Sequence, residues 1–169
     1  MAETKTSRSA ALANHFEAAQ KSFIRLIESL SEEQWWFQGV NTPGIRLNDE
    51  DETRRVGVIA HHVASTQPWI MGRIRAILED KPTPPVDFKV INTQHAVEHG
   101  DATKAEVLDL SRENLKRITS EIRSIPDESL DKERQFPTGT MTVEQRIERV
   151  LIGHMVSHQA SIEATVTSS

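Results

Sequence analysis

The chain has 169 residues, a formal net charge of −5 and no cysteine. That length can bury a core without covalent staples, and 37% hydrophobic with 27% charged residues suits a folded globular protein rather than a disordered one. The acidic balance argues against a nucleic-acid binder, whose phosphate contacts need a dominant basic surface. The lack of thiols excludes disulfides, cysteine nucleophiles and cysteine-ligated zinc.

The opening run MAETKTSRSAALANHFEAA lacks a continuous apolar signal region, and no apolar run approaches membrane-spanning length. A single domain over residues 1–169, cytoplasmic and without membrane contact, is therefore expected. A first helix is predicted from about Ser9 to Leu30, where Leu12, Phe16, Ala19, Phe23, Leu26 and Leu30 alternate spacings of four and three. Ser31-Glu32-Glu33 reads as the N-cap and first turn of a short helix through Trp35 and Trp36. A loop with Asn41, Pro43 and Gly44 and the acidic run Asn48 to Glu52 leads to the next helix.

The second long helix is expected to begin near Asp51 to Arg54 and to reach Leu78, with Ile59, Val63, Ile70, Ile74 and Ile77 on its apolar side. Prolines 82, 84 and 85 end it. Residues 90–99 form a short helix closed by Gly100. A third long helix spans Thr103 to Ile125 on a face of Leu108, Leu115, Ile118, Ile122 and Ile125, and Pro126 stops it. After the polar stretch DESLDKERQFPTGT, Thr142 caps a fourth helix to about Thr165, with Glu144 or Gln145 completing the cap. No segment shows strand alternation and there is no internal repeat. The fold class is all-α, and four amphipathic helices with long connections are most simply a four-helix bundle. A longer irregular α-domain is the alternative.

Chemistry concentrates in the histidines. The apolar stripe of the fourth helix reads Val143, Ile147, Val150, Leu151, His154, His158, Ile162, so two imidazoles one turn apart occupy core positions. Buried imidazoles cost free energy unless partnered, and a metal ion would partner both. A third ligand is then needed. Helix two offers His61 and His62, of which one can face the core because neighbours stand about 100° apart. His62, aligned with Ile59, Val63, Trp69 and Ile70, is chosen, and His61 is left at the edge. His95 and His99, a second i,i+4 pair in a short polar segment, read as a solvated helix at the rim of the pocket. His15 reads as a surface residue. Trp35, Trp36 and Trp69 are core or interface anchors first, although Trp69, two turns beyond His62, is the candidate wall of a substrate pocket. No glycine-rich phosphate loop and no G-x-S-x-G element is present.

VGVIAHHVAS (56–65) and GHMVSHQASI (153–162) resemble the helix-two and helix-four motifs of the DinB/YfiT-like superfamily. The stretch from VINTQHA into TKAEVLDL is similar to that family's connection into helix three. Ala160, Ser161 and Ile162 stand where the family often has a Gly-Gln-Ile ending. The resemblance implies a bundle of DinB type in which His62, His154 and His158 bind a divalent metal, zinc or nickel. It further implies a homodimer acting on a small-molecule substrate, as a hydrolase or as a thiol-dependent S-transferase with a low-molecular-weight thiol cosubstrate. A three-imidazole set leaves a coordination position open, the pattern of a catalytic site, and the ion would lower the pKa of a bound water or thiol. The contrasting expectation is a non-catalytic binding or stress-response module that a metal stabilises, and the plainest is a metal-free bundle whose histidines pair with one another.

Overall fold

The first helix, α1 (Arg8–Ser29), begins where Ser7 turns its side chain onto the Ala10 N–H, and its inward face carries Leu12, Phe16, Gln20, Phe23 and Ile27. The computed structural model describes residues 6–40 and 54–168, so the loop at Asn41, Pro43 and Gly44 and the acidic run 48–52 lie outside the described residues. α2 (Glu32–Trp35) is a single turn held by a capping box in which Ser31 and Gln34 satisfy each other's N–H groups. It delivers Trp35 into the core, where the indole N–H donates to the Ala102 carbonyl at 2.9 Å. Trp36 stays exposed. Gly57 permits this packing, because a Cβ there would lie 2.6 Å from Trp35 Nε1.

α3 (Val56–Leu78) begins just after the expected start and is the most enclosed element; every residue from Val56 to Ala64 is buried. Pro68 sits inside it and removes the N–H that would bond to Ala64. The freed Ala64 carbonyl accepts Asn114 Nδ2 from α5 at 2.7 Å. Asn114 also reaches Gln67 Oε1 (3.0 Å), Gln67 donates to Gln20 Oε1 (2.6 Å), and Gln20 donates to the Ser111 carbonyl (3.0 Å). The buried polar chain therefore crosses α1, α3 and α5, and Gln67 Nε2 lies 3.3 Å from Met155 Sδ of the last helix.

α4 (Phe88–Glu98), capped by Asp87, contributes no fully buried side chain. It lies antiparallel on α3, because Phe88 meets Trp69 at one end and His99 meets His61 at the other. α5 (Lys104–Arg123), capped by Thr103, follows, then a 3-10 turn at Asp127–Asp131.

The segment after Pro126, read as polar and turn-rich with no strand, contains a hairpin. β1 (Glu133–Phe136) pairs antiparallel with β2 (Gly139–Thr142) around Pro137 and Thr138. Gly139 takes φ 118°, which side-chain-bearing residues rarely adopt. Strands of four residues offer too few alternations to show a period.

The fourth long helix is continuous but irregular: α6 (Val143–Arg146), a π-helical stretch (Ile147–Ile152), and α7 (Gly153–Thr167). Thr142 caps it with Gln145 as the reciprocal partner. A π segment adds a residue to its turn, so the buried line runs Val143, Ile147, Leu151, Met155, His158, Ile162. Val150 and His154, expected in that line, sit at its flank and are partly buried.

α1 and α3 each pack against both α5 and α7, enclosing one hydrophobic cluster among the described residues. Among the described residues the fold is all-α apart from the hairpin and an isolated antiparallel bridge between Gln38 and Arg55.

Candidate metal centre

Antiparallel packing of α3 against α7 brings residues far apart in the chain to one level. His62 comes from α3, fully enclosed; His158 is completely buried on α7 and His154 is partly buried one turn before it. His154 Nε2 lies 3.1 Å from His62 Nε2 and 3.1 Å from His158 Nε2. The three rings stand edge to face, with centroids 4.5–5.1 Å apart. One nitrogen from each lies within 4.8 Å of the others.

This geometry is informative because a ring nitrogen carries either one proton or one lone pair. His154 Nε2 can hydrogen bond to one of its two neighbours but not to both. A cation accepts three converging lone pairs at once. The donor set is suited to it: three imidazole nitrogens, two of them on buried side chains. Thr66 supports the arrangement from the next turn of α3. Its hydroxyl donates to the His62 carbonyl and lies 3.5 Å from His62 Nδ1, on the ring edge away from His154. A partner at Nδ1 turns the Nε2 lone pair toward the cluster.

His61 departs from the expected edge position, for it is only 4% exposed. One buried face per helix was assumed, whereas α3 is covered by the core on one side and by α4 on the other. His61 Nδ1 is 2.8 Å from His95 Nε2, and its ring stacks on His99 at 4.0 Å. His95 and His99, expected to be a solvated pair, are half-buried against α3. The three form a second group whose ligand nitrogens also lie within 4.8 Å of one another. The available signal was the repetition of i,i+4 spacing at 95/99 and 154/158, with adjacent histidines at 61 and 62 able to serve one pair each.

The two groups adjoin through His62 and His95, whose centroids are 5.4 Å apart. Burial, with His62, His61, His99 and Arg54 adding repulsion, pushes His95 down to about 3. Burial and His99 also lower His61, partly offset by Glu106. Both rings are therefore neutral near pH 7, the form that ligates metals.

Trp69 stands at the open edge, 38% exposed. Its ring meets Phe88 of α4 edge-on at 6.0 Å and the Arg73 guanidinium covers it at 5.0 Å. His15 is exposed. No helix among the described residues is long and apolar enough to cross a membrane.

Comparison with curated proteins gives no match. The sequence profile of the DinB superfamily matches residues 15–162, a span that contains all four long helices in large part and both histidine groups. With most of the chain covered in order, this all-α protein belongs to the DinB superfamily.

Proposed function

We propose that the protein is a divalent-metal-dependent enzyme in which His62, His154 and His158 hold zinc or nickel, acting on a small molecule as a hydrolase or thiol-dependent S-transferase. The observation that carries this reading is the convergence of three histidine nitrogens within 4.8 Å of one another, with His154 Nε2 at 3.1 Å from both of the other two and able to hydrogen bond to one of them at a time. When bound, the ion supplies Lewis acidity, able to make a water or a small thiol acidic near neutral pH.

The chain's own contribution is placement and shelter. Met155 and Ile162, both buried on α7, line the helix that carries two of the histidines and keep its inner side apolar. Thr66 fixes the ring of His62. Trp69 and Phe88 form an aromatic edge two turns from His62, suited to contact an apolar part of a substrate. The absence of cysteine means that a sulfur nucleophile would have to arrive as a cosubstrate.

The test uses tag-free full-length protein, stripped and reloaded with zinc or nickel, assayed against ester substrates and against a chromogenic electrophile with a panel of small thiols. Turnover should require the ion and should be lost in His154→Ala. Metal affinity of that variant should fall by more than about 100-fold, since even supporting partners of a ligand contribute about 10–100-fold. Turnover that survives both chelation and His154→Ala would sink the proposal.

A further inference from the structure

α4 has no fully buried residue and exposes Val90, Ile91 and Val97, so apolar packing alone accounts poorly for its seat on α3. What it presents to α3 is Phe88 at one end and two imidazoles at the other. His95 and His99 are one turn apart on one face, and both rings turn onto His61, with centroids at 5.0 and 4.0 Å. His95 and His99 are themselves 4.8 Å apart. Among the described residues, His95 Nδ1 is buried without a hydrogen-bond partner, a cost of about 1–3 kcal/mol for a polar group. Its other nitrogen, Nε2, faces His61 Nδ1 at 2.8 Å and Ser65 Oγ at 3.4 Å. On the far edge of the His61 ring, Nε2 is 3.8 Å from Glu106 Oε1. A carboxylate behind a histidine is the arrangement that orients a metal ligand and raises its basicity.

We propose that His61, His95 and His99 form a second divalent-cation site, clasping α4 to α3, so that each chain binds two ions in neighbouring sites. None of these three residues belongs to the His62 group, and the inference stands apart from any reaction at that group. An all-imidazole set with one carboxylate behind it suits zinc, nickel or copper, and excludes magnesium and calcium, which take oxygen ligands. The ion replaces a close stack of three rings by shared coordination. It also links residues 34–38 positions apart in the chain, giving α4 an anchor that its side-chain burial does not provide.

The test is stoichiometry in the full-length, tag-free chain, stripped with chelator and dialysed against zinc chloride or nickel chloride, with bound metal measured by elemental analysis. The native chain should hold two equivalents. His99→Asn, at the partly exposed end of α4, should hold one, and so should His95→Asn, which guards against loss of fold in either variant; circular dichroism checks that the helices are retained. His154→Asn should lose the other equivalent and keep this one. Two equivalents in both folded α4 variants would overturn the second site. So would a single equivalent in the native chain that His99→Asn retains and His154→Asn loses, a result that leaves the His62 group standing. A single equivalent lost in His99→Asn and kept in His154→Asn would uphold the site proposed here and remove the other.

Discussion

Asp127 accepts the backbone N–H groups of Arg8 and Ser9 at 2.8 and 2.9 Å, capping the first turn of α1 from a segment 118 residues away. These bonds to the charged carboxylate, led by the one from Ser9, hold its pKa below the ordinary value. A folded-state pKa below the unfolded one means the unfolded chain binds the proton more readily. The contribution is thus complete above about pH 4, near the unfolded carboxylate value, and is lost as pH falls through the lowered pKa. Asp127→Asn should lower the melting temperature at pH 7 and shrink the gap to the native protein as the pH drops toward 3. Parallel melting curves at pH 7 and pH 3 check this, and an equal gap at both would show that the charge is immaterial. Single residues also show where sequence reading stops. His62, His154 and His158 could be grouped because helical spacing and apolar neighbours are visible in one dimension. The depth of His61 could not, since it depends on α4 lying across a helix that already has a core on its other side.

Among the elements, α3 and α5 are joined by a repair. Pro68 deprives Ala64 of its helical donor, and Asn114 supplies another at 2.7 Å while also holding Gln67. Asn114→Ala should therefore leave a carbonyl and an amide with lost partners in a fully buried place. A destabilisation of about 2–6 kcal/mol is expected from two such groups at about 1–3 kcal/mol each. Urea unfolding measures it, and a loss under about 0.5 kcal/mol, the range of ordinary surface substitutions, would mean water fills the gap. Gln20, Gln67 and Asn114 escape a search for apolar stripes because each is polar and occupies an apolar position. The hairpin escapes it for a different reason, its strands being too short to repeat. The helices were legible where spacings of three and four persist, as in α1, whose expected limits of Ser9 and Leu30 differ by one residue from those found.

On the scale of the molecule, the histidine groups join segments 92 and 34 residues apart, so neither exists before the helices have packed. Arg8 contributes to that closure from the chain's first helix, bonding Asp131 at 2.8 Å and Glu144 at 2.5 Å. The order of the helices was readable from the sequence, but the phase of the last one was not, because a regular period was assumed through the π segment at Ile147–Ile152. That segment bears on how the chain tolerates a change of length. A π turn stores one residue more than an α turn, so the helix beyond it faces as a regular helix shorter by one residue would. Deleting exposed Arg149 should be absorbed by conversion to α-helix, with the downstream histidines still turned toward His62 and metal stoichiometry unchanged. Deleting Val156, equally exposed but within the regular α7, should turn His158 by about 100° relative to His154 and abolish binding at that group. Elemental analysis of the two deletion variants distinguishes these outcomes, and equal loss in both would refute the idea. The irregular turn is slack in the chain, a place where length can change while direction is kept.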